Sequence, residues 1–163
     1  MAGLLAARTG ALWLRIDRIE QALRASQMVT ADLADGGYAA ARAMAVAALE
    51  QGFDVIADSV NPLAETRAAW QAVSAAAGAG HLDVELACPD PAEHRRRVET
   101  RTPEVPGLAL PDWAAVRARV YEPWQGPVLR LDTARDPPGA VTDRIVAALH
   151  AQGMETGGKG MTR

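Results

Sequence analysis

The sequence predicts an α/β fold in which helices cover a parallel sheet. Short apolar runs alternate along the chain with longer segments of helical periodicity, the pattern of strands joined by crossover helices. The 163 residues are 49% hydrophobic but only 4% aromatic, so alanine supplies much of the apolar content and favours helices. The predicted strands are residues 12–17, 53–60, 83–88 and 128–132.

Proline and glycine mark the ends of the predicted helices. Gly52 is a plausible C-cap, and Asn61 with Pro62 opens a helix that has Pro62 at its first position. Three prolines and a glycine predict a loop over 102–111. The predicted helices cover residues 18–26, 37–51, 62–77 and 91–101, a short stretch from about Asp112, and a last stretch from about 139 to 150.

The start of the chain has the composition of half a helix. Residues 2–8 run directly into Thr9, Gly10 and the first strand. They are either a natural N-terminal helix or the second half of a helix whose beginning lies outside the sequence. Residues 1–150 are expected to form one domain, and the glycine-rich residues 151–163 a disordered tail.

Composition excludes several classes of protein. A formal charge of -3 gives no general attraction to nucleic acid, and a single cysteine builds no disulfide framework. No run of apolar residues is long enough to span a membrane, and no signal peptide is evident, so we expect a cytoplasmic protein. Scattered tryptophans are expected to fill an alanine-rich core. Lys159 is the only lysine, so any lysine chemistry must use it.

Two aspartates follow predicted strands, where open parallel sheets bind their ligands. Asp17 ends the first strand and Asp58 lies near the end of the second. Either carboxylate could bind magnesium or accept a proton from a substrate hydroxyl. The alternative for Asp17 is a simple cap on the helix that follows.

Arginines on the helix 91–101 supply the opposite charge. Arg97 and Arg101 are four residues apart and would share one helix face, beside the cluster that begins at Arg95. Guanidinium groups suit phosphate oxygens and recur in phosphoryl transfer. The alternative is a solvated basic face, balanced by Glu93 and Glu99.

Six stretches, in this order and spacing, resemble the small P-loop kinases of the AAA-type ATP-binding group, similar to chloramphenicol phosphotransferase and gluconate kinase. The resemblance covers about residues 2–150. It implies a five-stranded parallel sheet, a helical lid, and a phosphate loop after the first strand. The stretches are LRID, DVIADSVNPLAETRAAW, CPDPAEHRRRVETR, LPDW, YEPW and LRLDTA.

The resemblance also implies roles for individual residues with ATP and Mg²⁺ as cofactors. Asp17 would be a general base and Asp58 the acidic residue that binds the metal. From the lid, Arg97 and Arg101 would reach the ATP phosphates. The residues expected to bind the cofactor are Arg95, Thr133 and Arg135, and those expected near a small hydroxylated acceptor are Asn61, Tyr38 and Arg42, which could equally serve packing and solvation.

The phosphate loop G-x-x-x-x-G-K-[ST] of this group would precede Ala2 and is not in the sequence. With its strand it would need roughly 15–20 residues. The segment Gly153 to Gly160 matches part of the motif by letter, but it lacks the Ser/Thr and follows a helix. Without its central strand the sheet is expected to have two unpaired inner edges and poor stability, unless those strands pair directly.

Three functions remain open from the sequence. The first is a small-molecule kinase that binds nucleotide weakly without its phosphate loop. The second is a degenerate domain that serves as a binding or interaction module. The third is an ATPase that acts on a protein partner. No nucleic-acid or membrane partner is expected.

Overall fold

Helices and short parallel strands alternate in the computed structural model, which describes residues 1–27 and 32–154. The α/β fold class is confirmed. The helices are α1 (Ala2–Thr9), α2 (Ile16–Arg24), α3 (Gly36–Glu50), α4 (Ala64–Ala76), α5 (Pro91–Thr100), α6 (Trp113–Ala118) and α7 (Pro138–Ala151). The strands are β1 (Leu12–Arg15), β2 (Val55–Asp58), β3 (Val84–Ala87) and β4 (Leu129–Asp132). Most of the predicted tail, with Lys159 and the motif-like segment, lies outside the described residues.

The strands form two separate parallel pairs. β1 lies beside β2 with Leu12 opposite Val55, and β3 lies beside β4 with Val84 opposite Leu129. In the described part of the chain β2 and β3 are not paired with each other. The predicted strands therefore all exist, each a little shorter than expected, and the two inner ones do not join.

The inner strands each present an open edge. Leu12 N–H donates to the Asp54 carbonyl over 2.8 Å, and the alternation of a parallel ladder then directs the main-chain groups of Val55 and Ala57 away from β1. By the same alternation, those of Val84 and Leu86 point away from β4. Within residues 1–27 and 32–154 these groups have no hydrogen-bond partner. Two strand edges are thus free to accept a further strand.

Two hydrophobic cores lie on opposite faces of the strands. In the first, α3 and α4 cover β1, and Trp70 packs with Leu14. In the second, α1 and α7 cover β2, β3 and β4, and Leu5 packs with Leu131. The close contact between α2 and α3 requires glycine at Gly37, where a Cβ would lie 2.4 Å from Glu20 Cγ.

Two helix starts follow their local signals closely. The Asp90 carboxylate accepts from the Ala92 and Glu93 amides at the start of α5, and Asp112 accepts from Ala115 N–H at the start of α6. Both are N-cap bonds, which a sequence signals directly.

Two predicted helix starts were wrong. Asp17 does not end β1 but lies in the first turn of α2, because Ile16 is already helical and buried in the first core. It makes no cap hydrogen bond, although its charge suits a helix N-terminus. Pro62 is not the first residue of α4, which begins at Ala64. Asn61 has a left-handed φ of 44°, and the Pro62 carbonyl is bound by Arg67 and Glu122.

The predicted common face of Arg97 and Arg101 was also wrong. α5 ends at Thr100, and Arg101 is its C-cap in an extended conformation. Pro103 lies two residues further on, and Thr102, which precedes that proline, avoids the helical region, so the helix ends ahead of it. The two guanidinium groups consequently go to different partners.

Candidate functional site

Arg15 lies near both candidate carboxylates at the carboxyl edge of β1 and β2. It lies opposite Asp58 in the strand register, and its Nε is 3.5 Å from Asp17 Oδ2. Burial alone would lower the pKa of Arg15, but the hydrogen bond to Glu104 and the charges of Asp58, Glu104 and Asp17 outweigh it and raise that pKa. Asp17, in the first turn of α2, and Asp58, at the end of β2, thus both lie close enough to Arg15 to interact with its charge.

Trp13 fixes the orientation of Asp58. Its indole Nε1 donates to Asp58 Oδ2 over 3.0 Å. The Arg18 guanidinium lies over the same indole, 5.0 Å from the ring centroid, and Gly3 of α1 lies against its other atoms. One carboxylate oxygen of Asp58 is thus held by a neutral donor, and Oδ1 has no hydrogen bond among the described residues.

The proline-rich loop 102–111 is docked on this edge. Glu104 Oε2 accepts from Arg15 Nη1 over 2.6 Å, and Val105 is only 4% exposed. Gly107 adopts a left-handed φ of 77° beside Gln21 of α2. The loop between α5 and α6 is therefore anchored beside the end of β1.

The three candidate arginines on α5 and at its C-cap bind different partners. Arg95 pairs with Glu99, and both side chains are about half exposed. Arg97 Nη2 donates to the Thr133 carbonyl over 2.8 Å, which ties α5 to the loop after β4. Arg101 donates to the Pro111 carbonyl over 2.8 Å. Only Arg97 of these three reaches the strand-end loops.

Arg97 shares a cavity with two further residues that the sequence indicated, Thr133 and Arg135. The cavity has a volume of about 270 Å³ at the carboxyl end of β4. Its remaining lining comes from Met1, Ala134, Asp136, Pro137 and Pro138. An apolar hollow of about 330 Å³ at the amino ends of β1 and β2 contains no titratable side chain and offers no chemistry.

The expected acceptor residues flank the end of β2 from the other side. Burial raises the pKa of Tyr38, whose hydroxyl lies near Ser59 and the Asn61 backbone. Ser59 Oγ and Asn61 Oδ1 are both buried and have no hydrogen-bond partner of good geometry among the described residues. Arg42 is 3.4 Å from Asp35 Oδ2 and does not enter this group.

Three residues of the site were not identified from the sequence. Trp13 was expected only to fill the core, although its place two residues before Arg15 on a strand puts both side chains on one face. Arg15 itself could have been found from that alternation. Arg67 is a buried arginine whose partners lie up to 57 residues away, and no local pattern reveals it.

Two solved structures are similar to this chain. The APS kinase CysC of Mycobacterium tuberculosis, in complex with AMPPNP and APS, is 21% identical with a TM-score of 0.60, over 91% of this chain and 88% of that chain. A protein of Chloroflexus aurantiacus with a provisional kinase assignment is 17% identical with a TM-score of 0.62, over 92% and 87% of the two chains. The fold is that of the P-loop kinases. No family model and no curated protein matches the chain.

A P-loop kinase fold is an open parallel α/β fold, which binds ligands beyond the carboxyl ends of its strands. That edge holds Asp17, Asp58 and the cavity at Thr133. Within residues 1–27 and 32–154, no three His, Cys, Asp or Glu side chains are placed to share a metal ion. No helix in the same residues combines the length and apolar character needed to cross a bilayer.

Proposed function

We propose that this chain forms most of an ATP-dependent kinase that phosphorylates a hydroxyl group of a small molecule. One observation carries the proposal: the carboxylates of Asp17 and Asp58 and the cavity lined by Arg97, Thr133 and Arg135 lie along the same carboxyl edge of the strands. Phosphoryl transfer needs a base, a metal-binding carboxylate and cations that face phosphate. All three types of group are available along this edge.

The donor set fits Mg²⁺ bound together with ATP. Kinases hold Mg²⁺ through one or two carboxylates plus substrate phosphates, so a single Asp58 with Oδ1 free is sufficient. When bound, the metal would neutralise charge on the phosphates. Asp17 would accept the proton of the acceptor hydroxyl, and Arg97 with Thr133 and Arg135 would line the nucleotide.

Acceptor and lid residues complete the proposal. Asn61 and Tyr38 would contact the acceptor, with Arg42 at the rim of that pocket. Arg95 and Arg101 would approach the phosphates only after leaving Glu99 and the Pro111 carbonyl. The protein would act in the cytoplasm.

We further propose that a strand and a phosphate loop from residues outside 1–163 occupy the space between β2 and β3. The open main-chain edges at Val55 and Ala57 and at Val84 and Leu86 support this. The lysine count supports it too, since Lys159 follows α7 and is not preceded by a strand. A parallel strand placed there would satisfy both edges at once.

The DNA upstream of the Met1 codon supplies the test. A longer chain that includes an in-frame strand and GK[ST] loop should bind Mg-AMPPNP with micromolar affinity by calorimetry, whereas residues 1–163 should bind it at least a hundredfold more weakly. The longer chain is then incubated with radiolabelled ATP and chloramphenicol, gluconate or APS as acceptor. The control is the longer chain with its phosphate-loop lysine changed to alanine. Micromolar binding by residues 1–163, or an upstream stop codon with no such loop, would contradict the proposal.

A binding module is the second candidate. Two arginines expected near ligands, Arg97 and Arg101, are held by oxygens of the chain itself, and so is Arg15. In a domain that no longer binds a ligand, oxygens of the chain itself would bind these guanidinium groups in this way. Absence of nucleotide binding in the longer chain would favour the module, and ATP hydrolysis without any acceptor would favour an ATPase that acts on a protein partner.

A further inference from the structure

The guanidinium of Arg67 is buried between two aromatic rings. The side chain belongs to the first turn of α4, and the residue is only 4% exposed. Its Cζ lies 4.3 Å from the Trp124 ring centroid and 5.0 Å from that of Tyr121. Stacking on aromatic faces suits the planar guanidinium and not a lysine ammonium.

The same guanidinium is hydrogen-bonded to carbonyl groups of two segments. Nε donates to the Asn61 carbonyl over 2.9 Å, and Nη2 donates to the carbonyls of Pro62 over 3.1 Å and Glu122 over 2.7 Å. Arg67 thereby joins the turn after β2 to residues 121–124, which we call the strap.

Glu122 makes two hydrogen bonds with residues at the start of α4. Its amide donates to the Pro62 carbonyl over 2.9 Å, and its Oε2 accepts from Ala64 N–H over 2.7 Å. A carboxylate at this helix N-terminus caps α4 from outside the helix. These two bonds join the strap to the turn after β2 and the start of α4, in addition to the three hydrogen bonds that Arg67 makes.

The strap is also attached to the second pair of strands. Tyr121 Oη donates to Glu85 Oε1 of β3 over 2.9 Å, and Arg130 of β4 donates to Glu85 Oε2 over 2.9 Å. Trp124 Nε1 donates to Tyr121 Oη over 3.0 Å. Since β2 and β3 are unpaired, this strap is a polar link between the two halves of the described structure.

The turn after β2, which Arg67 binds, combines a strained backbone with buried polar groups. Asn61 has a φ of 44°, a region that a residue other than glycine rarely occupies unless its surroundings impose it. Ser59 Oγ, Asn61 Oδ1 and Arg67 Nη1 are buried and find no hydrogen-bond partner within residues 1–27 and 32–154. Buried polar groups without partners are uncommon and often mark functional sites.

We propose that Arg67 is a positioning residue for the acceptor site, which holds the turn at Asn61 in its left-handed conformation by clamping that turn to the strap. The part that concerns the acceptor rests on the proposed function, whereas the clamp itself does not. Lysine at this position would keep the charge but lose the two-sided stacking and the fork of hydrogen bonds.

Hydrogen exchange of the 163-residue protein tests the clamp. Arg67→Lys should speed exchange at least tenfold in residues 61–66 and 119–124, with unchanged rates in β1 and α3. Arg117→Lys on the exposed face of α6 is the matched control and should change neither segment. Unchanged exchange in Arg67→Lys, or an equal increase throughout the protein, would overturn the clamp. Should Arg67→Lys fail to fold, Trp124→Leu decides by the same pattern.

Steady-state kinetics of the longer chain tests the positioning role, with whichever of chloramphenicol, gluconate or APS it phosphorylates. Arg67→Lys should raise the KM for the acceptor at least tenfold and leave the KM for ATP within twofold. A merely structural role would lower kcat through the active fraction and leave both KM values unchanged, which would overturn the proposal. If none of the three acceptors is phosphorylated, the proposed function fails on that panel, and the exchange result still decides the clamp.

Discussion

Trp13 and Asp58 are joined across β1 and β2 by a 3.0 Å hydrogen bond from the indole Nε1 to a carboxylate oxygen. The tryptophan is in turn held between Arg18 and α1. A rigid donor of this kind restricts the rotation of the carboxylate, which a metal ligand requires. The contact thus connects the packing of α1 to the chemistry of the proposed site.

Replacing Trp13 with phenylalanine should raise the Mg²⁺ concentration that the longer chain needs for activity. Loss of a residue that orients a metal ligand typically costs about 10- to 100-fold in metal affinity or activity, and we expect the lower end because Phe keeps the packing. The measurement is the Mg²⁺ concentration that gives half-maximal activity. Trp113→Phe, whose ring contacts only His94 among the aromatic residues described, should leave that concentration unchanged. An unaltered Mg²⁺ requirement in Trp13→Phe would show that Asp58 does not depend on the indole.

The ion pair between Arg15 and Glu104 should control access to the strand ends. Glu104→Gln removes the charge that Arg15 binds over 2.6 Å, so the loop 102–111 should be cleaved several-fold faster in limited proteolysis. Glu99→Gln breaks the exposed pair with Arg95 and is the matched control, because that pair lies on α5 and not at the strand ends. Equal cleavage rates in the two variants would show that Val105, not the ion pair, holds the loop.

Gly37→Ala should destabilise the protein because α2 and α3 approach closely there. The new Cβ would lie 2.4 Å from Glu20 Cγ, and overpacking of this kind costs about 1–3 kcal/mol. Urea unfolding gives the free energy, and Glu20→Ala in the same protein should restore most of the loss. Gly36→Ala, where a Cβ meets nothing within 4 Å, should cause no loss. A stable Gly37→Ala protein would mean that helix propensity outweighs the contact.

Glu93 should give the stability of α5 a dependence on acid pH. Hydrogen bonds from Arg96 and then Arg97 lower the pKa of Glu93 to about 2, below the usual value of about 4.3. A pKa lowered by folding stabilises the protein fully above the unfolded value and loses that effect as the pH falls toward the folded value. The difference in melting temperature between wild type and Glu93→Gln should therefore be constant above about pH 5 and vanish near pH 2.

The measurement for Glu93 needs a control for general acid effects. Glu50→Gln, at the exposed end of α3, should show no comparable loss of difference between pH 5 and pH 2. Because Glu93 is accessible to solvent, added salt should reduce the effect. A wild-type advantage that persists at pH 2 would mean that the contacts of Glu93 do not depend on its charge.

Local signals predicted the elements of this fold well, and long-range contacts explain where they failed. Asp90 and Asp112 cap their helices through amides two or three residues away, which a sequence shows directly. Pro62 has the same kind of local signal, but Arg67 and Glu122 bind its carbonyl and delay α4 to Ala64. A partner 60 residues distant cannot be read from a helix-start pattern.

The candidate site, too, was predicted only in part from the sequence. The sequence placed Asp17 and Asp58 at one edge because strand ends converge in any parallel sheet. The resemblance grouped Thr133 and Arg135 with Arg95, but the cavity that these two line contains Arg97 and not Arg95. The sequence could not show that Arg101 leaves its helix for the Pro111 carbonyl, nor that Arg15 pairs with Glu104, since both depend on tertiary contacts.

The separation of the strands into two pairs has a consequence for cooperativity. The first core lies on β1 and β2, whereas the second is built mainly on β3 and β4 and is joined to the first pair by Ile56 and helix α1. Domains with one continuous core unfold in a single step, whereas weakly coupled units melt at different denaturant concentrations. Unfolding of residues 1–163 should therefore occur in two stages, with Trp70 reporting the first core, and should merge into one stage when a fifth strand joins the pairs.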